Sequence, residues 1–319
     1  MQFEIILNQI LFLAILVVIG VIATRLNVVN SDVKEGLASL IFNITLPLLI
    51  LTTFSELRLT SEIAKNGLFV LLFSFLAIFF MYLGGLISTK VQKLDQQAET
   101  IHILHTMFGN IVFLGFPLID TLFPGGEGLL YATLFYLTSS TVMWTFGVYV
   151  FNRGSSTNIN QNFKNLLNPN TFAFVLGILV MIIGFKIPNI IHIPLKGLGK
   201  TTIYLSMIYI GAILGQTNLS GIFRHGYVFV LSINKMVILP LVLILLLKWV
   251  NTLLLLEMDQ TAFSVVILQA AMPCMAVMVV LAKSFGADDR HATENFFVST
   301  ILSLLTLPLI IFVLNYFAG

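Results

Sequence analysis

Apolar runs of about 20 residues, separated by short polar gaps, follow one another along the chain. An α-helix needs a run of about that length to cross the hydrocarbon core of a bilayer. The pattern predicts ten transmembrane spans, of which spans 4 and 9 are predicted to break at Pro117 and Pro273. The predicted spans are Phe3–Thr24, Gly36–Phe54, Gly67–Thr89, Thr100–Phe123, Gly128–Phe151, Asn168–Phe185, Gly197–Gln216, Tyr227–Trp249, Thr261–Phe285 and Ala292–Phe317.

Composition supports an all-α integral membrane protein. Hydrophobic residues make up 58% of the 319 residues and charged residues only 9%, whereas a soluble domain carries about 25% charged residues. The net charge of +2 is spread out, so no nucleic-acid partner is expected. The single cysteine, Cys274, excludes an intramolecular disulfide and a thiolate metal cage. The first residues lack a basic segment, so the first run is interpreted as a retained helix.

A polar linker at residues 153–167 divides the chain into two halves, 1–152 and 168–319, with five predicted spans each. Because five is odd, the second half enters the membrane from the opposite side, which predicts an inverted repeat like those of many secondary transporters. Nine Lys and Arg residues lie on the linker's side and six on the other. The excess predicts that both termini lie outside and that the linker is cytoplasmic.

The two predicted breaks carry the candidate binding site. A broken helix leaves free N–H groups and a positive dipole end at the start of its second half. If the breaks cross, two such ends face one small volume that favours a carboxylate, and neighbouring amides orient it without a formal charge. A packing role for each proline is the alternative. The predicted substrate-binding residues at the breaks are Asn110, Gly115, Pro117, Gln269, Pro273 and Cys274.

Other polar interruptions give further candidates. Asn43 is added to the binding residues, because with Pro47 it interrupts span 2; a structural kink and cavity lining both remain open. Asn168 and Asn170 flank Pro169, where helix capping is a sufficient explanation and cavity shaping is the alternative. Pro47, Asn168 and Asn170 are therefore the cavity-shaping candidates.

Charged residues inside the spans are few. Lys235 is a candidate for coupling to an ion, because intramembrane ionisable groups are functional by default. No acidic residue lies firmly in the middle of a span, which weakens the case for proton coupling. Asp120, three residues after Pro117, is the remaining acidic candidate, and the polar end of a helix is the alternative for it. For Lys235, snorkelling to the membrane interface is an equal alternative. His102 and His105 are three residues apart without an acid or a second cysteine nearby, so no metal site is expected. Interfacial packing and proton transfer both remain open for them.

Sequence motifs of enzymes are missing. The chain has no HExxH, no GxSxG and no phosphate-binding glycine loop, so no catalytic residue and no cofactor are predicted. Coupling to sodium or to protons remains open, since amide and carbonyl oxygens at broken helices also suit sodium.

Five motifs in a fixed order make the chain resemble the auxin efflux carrier family, in its bacterial branch of malate and organic-acid permeases. They are LIFNITLPLLIL at Leu40–Leu51, GNIVFLGFPL at Gly109–Leu118 with the GGEGLLYATLFY that follows, NPNTFAFVLG at Asn168–Gly177, LQAAMPCMAVMVVLAKSFGAD at Leu268–Asp288 and FFVSTILSLLTLPL at Phe296–Leu309.

The resemblance implies a fold similar to that of bile-acid symporters and sodium–proton antiporters, in which spans 4 and 9 cross. It implies a scaffold of spans 1, 2, 6 and 7 that forms a homodimer, and a transport unit of spans 3–5 and 8–10. The chain is therefore expected to move small organic anions, such as malate or auxin-like acids, across the plasma membrane by an elevator mechanism. The alternatives are an ion-coupled symporter of another organic acid, a channel, and a sensor that does not transport. Apart from the anion, membrane lipid is the expected partner.

Overall fold

The computed structural model describes residues 2–151, 168–216, 225–284 and 287–318, and their regular structure is helical. The predicted all-α class is confirmed for these residues, and the linker at 153–167 lies outside them. The helices, numbered in chain order, are α1 Gln2–Arg25, α2 Ser31–Glu56, α3 Ser61–Gln92, α4 Gln96–Met107, α5 Ile111–Leu122, α6 Glu127–Phe151, α7 Pro169–Ile183, α8 Asn189–Gln216, α9 Gly226–Leu253, α10 Gln260–Ala270, α11 Val277–Ser284 and α12 Asp289–Ala318.

Six of the helices in the described ranges, α2, α3, α6, α8, α9 and α12, are long and apolar enough to cross a membrane. The surface of α3 shows why this chain needs lipid. Leu72, Phe75, Phe79, Leu83 and Ile87 are all exposed and recur at three- and four-residue spacing along one face. A soluble helix buries such a stripe against a core, whereas here it faces outward, as hydrocarbon allows. The chain is a multi-pass membrane protein.

The chain forms two compact units that alternate along the sequence. The first unit consists of residues 1–68, 112–134 and 166–218. The second consists of residues 69–111, 135–165 and 219–319. The sequence predicted a different division, into two inverted repeats on either side of the linker. The two compact units do not test that repeat symmetry, so the inverted repeat stays a prediction.

Close helix packing in the first unit depends on glycine. A methyl group on Gly211 of α8 would lie 2.2 Å from the carbonyl oxygen of Val17 in α1, and one on Gly20 would lie 2.5 Å from the carbonyl oxygen of Ile208. Helices in lipid associate through such small residues, which let the backbones approach. The pairing of α1 with α8 therefore follows from two glycines that face each other.

The prediction that span 4 breaks near Pro117 is wrong. Helix α5 runs through Pro117, and the interruption lies earlier, at Phe108–Asn110. A π-helical turn precedes the proline and widens the backbone there, so the ring and its missing N–H are accommodated. The same arrangement occurs at two further prolines, Pro47 and Pro240. The π turns are Ile41–Thr45 before Pro47, Ile111–Gly115 before Pro117 and Asn234–Ile238 before Pro240.

Pro273 behaves as the sequence predicts. Helix α10 ends at Ala270 and α11 begins at Val277, with Pro273 in the non-helical segment between them. No π turn precedes this proline in the described structure, so the chain leaves the helix instead of accommodating the ring.

Candidate functional site

The two helix breaks of the second unit pair with each other. Gly109, between α4 and α5, forms an antiparallel β-bridge with Cys274, between α10 and α11. The backbone N–H of Asn110 donates to the carbonyl of Pro273 over 2.7 Å. Backbone groups released from a helix at membrane depth need partners inside the protein. The two interruptions satisfy each other, which brings Asn110, Pro273 and Cys274 together.

Gly109 is required by this contact. A Cβ atom built at Gly109 would lie 2.8 Å from Cβ of Met272 and 3.1 Å from its carbonyl oxygen. Carbon atoms at optimal contact are about 3.5–4.0 Å apart, so a side chain here would push the two segments apart. The close approach of the two segments therefore explains why the GNIVF motif begins with a glycine.

Three buried amides accompany the breaks. Asn110 is 2% exposed, Gln269 1% and Asn295 0%. Nδ2 of Asn110 and both side-chain polar atoms of Gln269 and Asn295 have no hydrogen-bond partner among the described residues. Leaving one such group unpaired in the interior costs about 1–3 kcal/mol, so these three amides are candidates for binding a polar ligand.

Asn295 and Ser299 are site residues that the sequence interpretation missed. Ser299 Oγ accepts a hydrogen bond from the N–H of Cys274 over 3.0 Å, which ties α12 to the break. Asn295 lies one helical turn before Ser299, so both are on the same face of α12. The signal was present as an i, i+4 series of buried polar residues in an apolar span, comprising His291, Asn295, Ser299 and Ser303.

Lys235 is fully buried, and its Nζ donates to the carbonyl oxygen of Thr106 over 2.9 Å. Thr106 lies in the last turn of α4, where unpaired carbonyls carry partial negative charge. Lys235 also lies near Cys274. The snorkelling interpretation is wrong, because the side chain points to the breaks. A buried lysine therefore lies at the candidate site, where the sequence analysis expected amides without a formal charge.

The remaining predicted residues belong to the first unit. Asn43 is exposed, and its Nδ2 donates to the carbonyl and the hydroxyl of Ser39, so its bonds are local. Pro47, Gly115 and Pro117 lie in or just after π turns. Whether these four residues bind substrate or shape a cavity stays a prediction.

Asn168 and Asn170 differ from each other in the structure. Oδ1 of Asn168 accepts from the N–H groups of Asn170 and Thr171 at 3.0 and 3.1 Å, so it is the N-cap of α7, as the sequence predicts. Asn170 is fully buried, and neither polar atom of its side chain has a partner in the part of the chain that the structure describes. Capping therefore explains Asn168 but not the Asn170 side chain.

Asp120 lies in a polar cavity of the first unit, whose volume is about 190 Å³. Lys196 forms an ion pair with Glu56 at its wall, and both Lys196 and Lys200 interact electrostatically with Asp120. Two cations balance two carboxylates, so this cavity holds no excess charge for an anion. Its lining is Leu49, Thr52, Thr53, Glu56, Asp120, Pro124, Gly125, Gly126, Lys196 and Lys200.

Comparison with known proteins agrees with a transport role. Residues 5–311, which include both breaks, match the profile of a family described as membrane transport protein. The chain is 25% identical over 310 residues to an uncharacterised transporter of Methanocaldococcus jannaschii, covering 95% of this chain and 97% of that protein. It is 28% identical over 316 residues to an uncharacterised transporter of Methanothermobacter thermautotrophicus, covering 95% and 96% of the two chains.

Proposed function

We propose a function on the premise that this chain belongs to the auxin efflux carrier family of membrane transport proteins. The protein carries small organic anions with a carboxylate group across the plasma membrane. The family is one of transporters and not of enzymes, which fits a site built from amides, a lysine and backbone ends. The proposal concerns the substrate class, the residues that bind it and the mechanism of movement.

The observation that carries the proposal is the paired break with its buried amides. Amide N–H groups donate to a carboxylate, and the side chains of Asn110, Gln269 and Asn295 supply them inside the second unit. Lys235 adds a positive charge at the same place. The amino-terminal end of α11 adds the positive end of a helix dipole. A carboxylate is the ligand whose charge and acceptor atoms match this set.

A carrier mechanism is favoured over a channel by the way in which the site is built. The amides and Lys235 are at most 2% exposed, so a bound anion would be enclosed and not in a continuous aqueous path. We propose that ten spans form two inverted repeats around spans 4 and 9, and that the transport unit moves against a dimeric scaffold. The position of both breaks in the fourth span of each predicted half supports this arrangement.

Counterflow in proteoliposomes tests the proposal. Vesicles loaded with unlabelled malate or indole-3-acetate should accumulate the labelled acid from outside, because a carrier exchanges one molecule for another. A channel gives no such accumulation, and a sensor binds the acid without moving it. Absence of counterflow for every carboxylate in a panel of mono- and dicarboxylates would contradict the proposed function.

Substitutions at the amides test the site. We expect Asn110→Ala to lower counterflow, and Asn110→Asp and Gln269→Glu to lower it further, because an isosteric carboxylate repels the substrate. Asn251→Ala is the matched control, since Asn251 accepts a bond from the N–H of Met258 at the end of α9, away from the breaks. If Asn110→Ala transports at the wild-type rate, the assigned site is wrong.

A further inference from the structure

A band of buried polar side chains in the second unit reaches from its exposed end to Lys235. We call this band the histidine relay. Its members come from the start of α9 and the residue before it, from α12 and from α4, and all lie outside the set of amides that would bind the anion. They are His225, Tyr227, Glu294, His291, His102 and His105.

The outer end of the relay is a carboxylate joined to solvent. The Glu294 side chain is only 4% exposed, and one of its oxygens lies 2.9 Å from Nδ1 of His225 and accepts from the Tyr227 hydroxyl. Its other oxygen accepts from Nε of Arg290 over 2.9 Å. The side chains of His225 and Arg290 are 35% and 72% exposed. Protons in solution can therefore reach a buried carboxylate through side chains that touch it.

Stacked rings continue the relay inward. Tyr227 stacks on His225 and, at a centroid distance of 4.2 Å, on His291. The His291 ring lies 6.4 Å from the ring of His102 between centroids. Asp95 and Asp288 act electrostatically on His291 from the ends of α4 and α12.

The Ser88 hydroxyl sets the protonation of His102. Ser88 Oγ accepts from Nδ2 of Asn234 and from Nε2 of Gln92, both over 3.0 Å. Both of its lone pairs are then used, so its own proton donates to Nε2 of His102, which lies 2.9 Å away. Neutral His102 therefore carries its proton on Nδ1, which faces no other hydrogen-bonding group in the described structure.

His105 is the inner end of the relay. It lies one turn after His102 on α4 and is fully buried. The backbone of Met275 is a hydrogen-bonding neighbour of its ring, and His291, His102 and Lys235 are close enough to act on its charge. An imidazole here adjoins the segment between α10 and α11, where the anion would bind.

Charge links the two sites. A proton on His105 and the positive charge of Lys235 would repel each other. A carboxylate bound beside Lys235 offsets that charge and makes protonation favourable. The linkage is reciprocal, so a proton on His105 also strengthens binding of the anion. Proton and carboxylate then bind together, and the loaded site carries less net charge through the membrane.

Building on the proposed function, we propose that the histidine relay is the proton-binding site of a carboxylate–proton symporter. An imidazole of the relay takes a proton on its unprotonated nitrogen, which in His102 is Nε2, as the N–H or O–H bond of the donor breaks, and it can then release a proton from its other nitrogen. His105 holds the proton that travels with the anion. A purely structural network would pair its buried nitrogens, whereas Nδ1 of His102 and Nε2 of His291 have no hydrogen-bond partner among the described residues.

Proton movement in proteoliposomes tests the relay in the wild-type protein. Vesicles that contain a pH-sensitive dye and are held at zero membrane potential receive an inward malate gradient without a pH gradient. We expect the interior to acidify as malate enters. Counterflow of malate without acidification would overturn the relay and leave the proposed function standing. Absence of counterflow for every acid in the panel would contradict the proposed function, and the relay would fall with it.

Variants assign the proton to named residues. His105→Gln and His102→Gln keep a polar side chain that cannot hold the proton, so the number of protons that enter with each malate should fall about tenfold or more. His192→Gln in α8 is the control, because His192 belongs to the first unit and pairs with Glu56. Acidification at the wild-type rate in both relay variants would overturn the assignment. If they do not fold, the wild-type experiment alone decides.

Discussion

Gly109→Ala is the sharpest perturbation of the paired breaks, because it adds one methyl group at the point of closest approach. The new Cβ would lie 2.8 Å from Cβ of Met272, and 3.1 and 3.4 Å from the carbonyl oxygens of Met272 and Pro273. Two of these three neighbours are backbone atoms in a segment already fixed by the β-bridge. The methyl group must therefore separate the two segments by about 1 Å to regain ordinary contact.

The cost follows from two terms. Overpacking of this kind costs about 1–3 kcal/mol. Separation also weakens the bond from the Asn110 N–H to the Pro273 carbonyl, which contributes about 1 kcal/mol. We therefore expect Gly109→Ala to destabilise the protein by about 2–4 kcal/mol. At roughly 2–4 °C for each kcal/mol in a chain of this size, the melting temperature should fall by about 4–16 °C.

The assay is a thermal melt in detergent with and without malate. The control is Gly36→Ala, because a methyl group on Gly36 meets nothing within 4 Å, and alanine in an exposed helical position favours the helix by up to about 1 kcal/mol. The control should melt at or slightly above the wild-type temperature and keep its shift with malate. A Gly109→Ala variant that melts with the control and is shifted equally by malate would refute the steric reasoning.

Two further substitutions test the charge and the cap. Lys235→Met should weaken malate binding by about 2 kcal/mol or more, because it removes the buried cation beside the anion site. The measurement is the rise in melting temperature that malate causes, which this variant should lose. An unchanged rise would exclude Lys235 from binding. Asn168→Ala removes two capping bonds and should lower the free energy of unfolding by about 1 kcal/mol, and Asn168→Ser should restore most of it. If malate no longer raises the melting temperature of the alanine variant, Asn168 has a role in the cavity instead.

Local signals in the sequence were sufficient for part of this structure. The N-cap at Asn168 requires only a short polar residue before Pro169, and the structure shows both capping bonds. The break at Pro273 was predictable because a proline inside an apolar span removes a backbone donor. Span positions follow from the length of the apolar runs. Each of these features is decided within a few residues of chain.

Features that depend on distant contacts were not predictable in the same way. Pro117 and Pro273 look alike in sequence, yet α5 passes through Pro117 because a π turn precedes it. The interruption forms instead at Gly109, where the close contact with Met272 leaves no room for a side chain. Lys235 could not be assigned from its span alone, because its partner is the carbonyl of Thr106 on another helix. The series of polar residues along α12 was visible, but not the break against which it packs.

The net charge at the paired breaks comes from the buried lysine. Helices α4 and α10 both end at the breaks, and each carboxyl end carries about half a negative charge, whereas the amino ends of α5 and α11 each carry about half a positive charge. The two carboxyl ends and the two amino ends therefore cancel, and the helix dipoles alone leave no net charge at the breaks. Lys235, which donates to Thr106 at the end of α4, adds one positive charge beside the carboxyl end of that helix. The breaks then carry a net positive charge, and the site favours a carboxylate by means of a cation bound to a backbone carbonyl as well as through the amides.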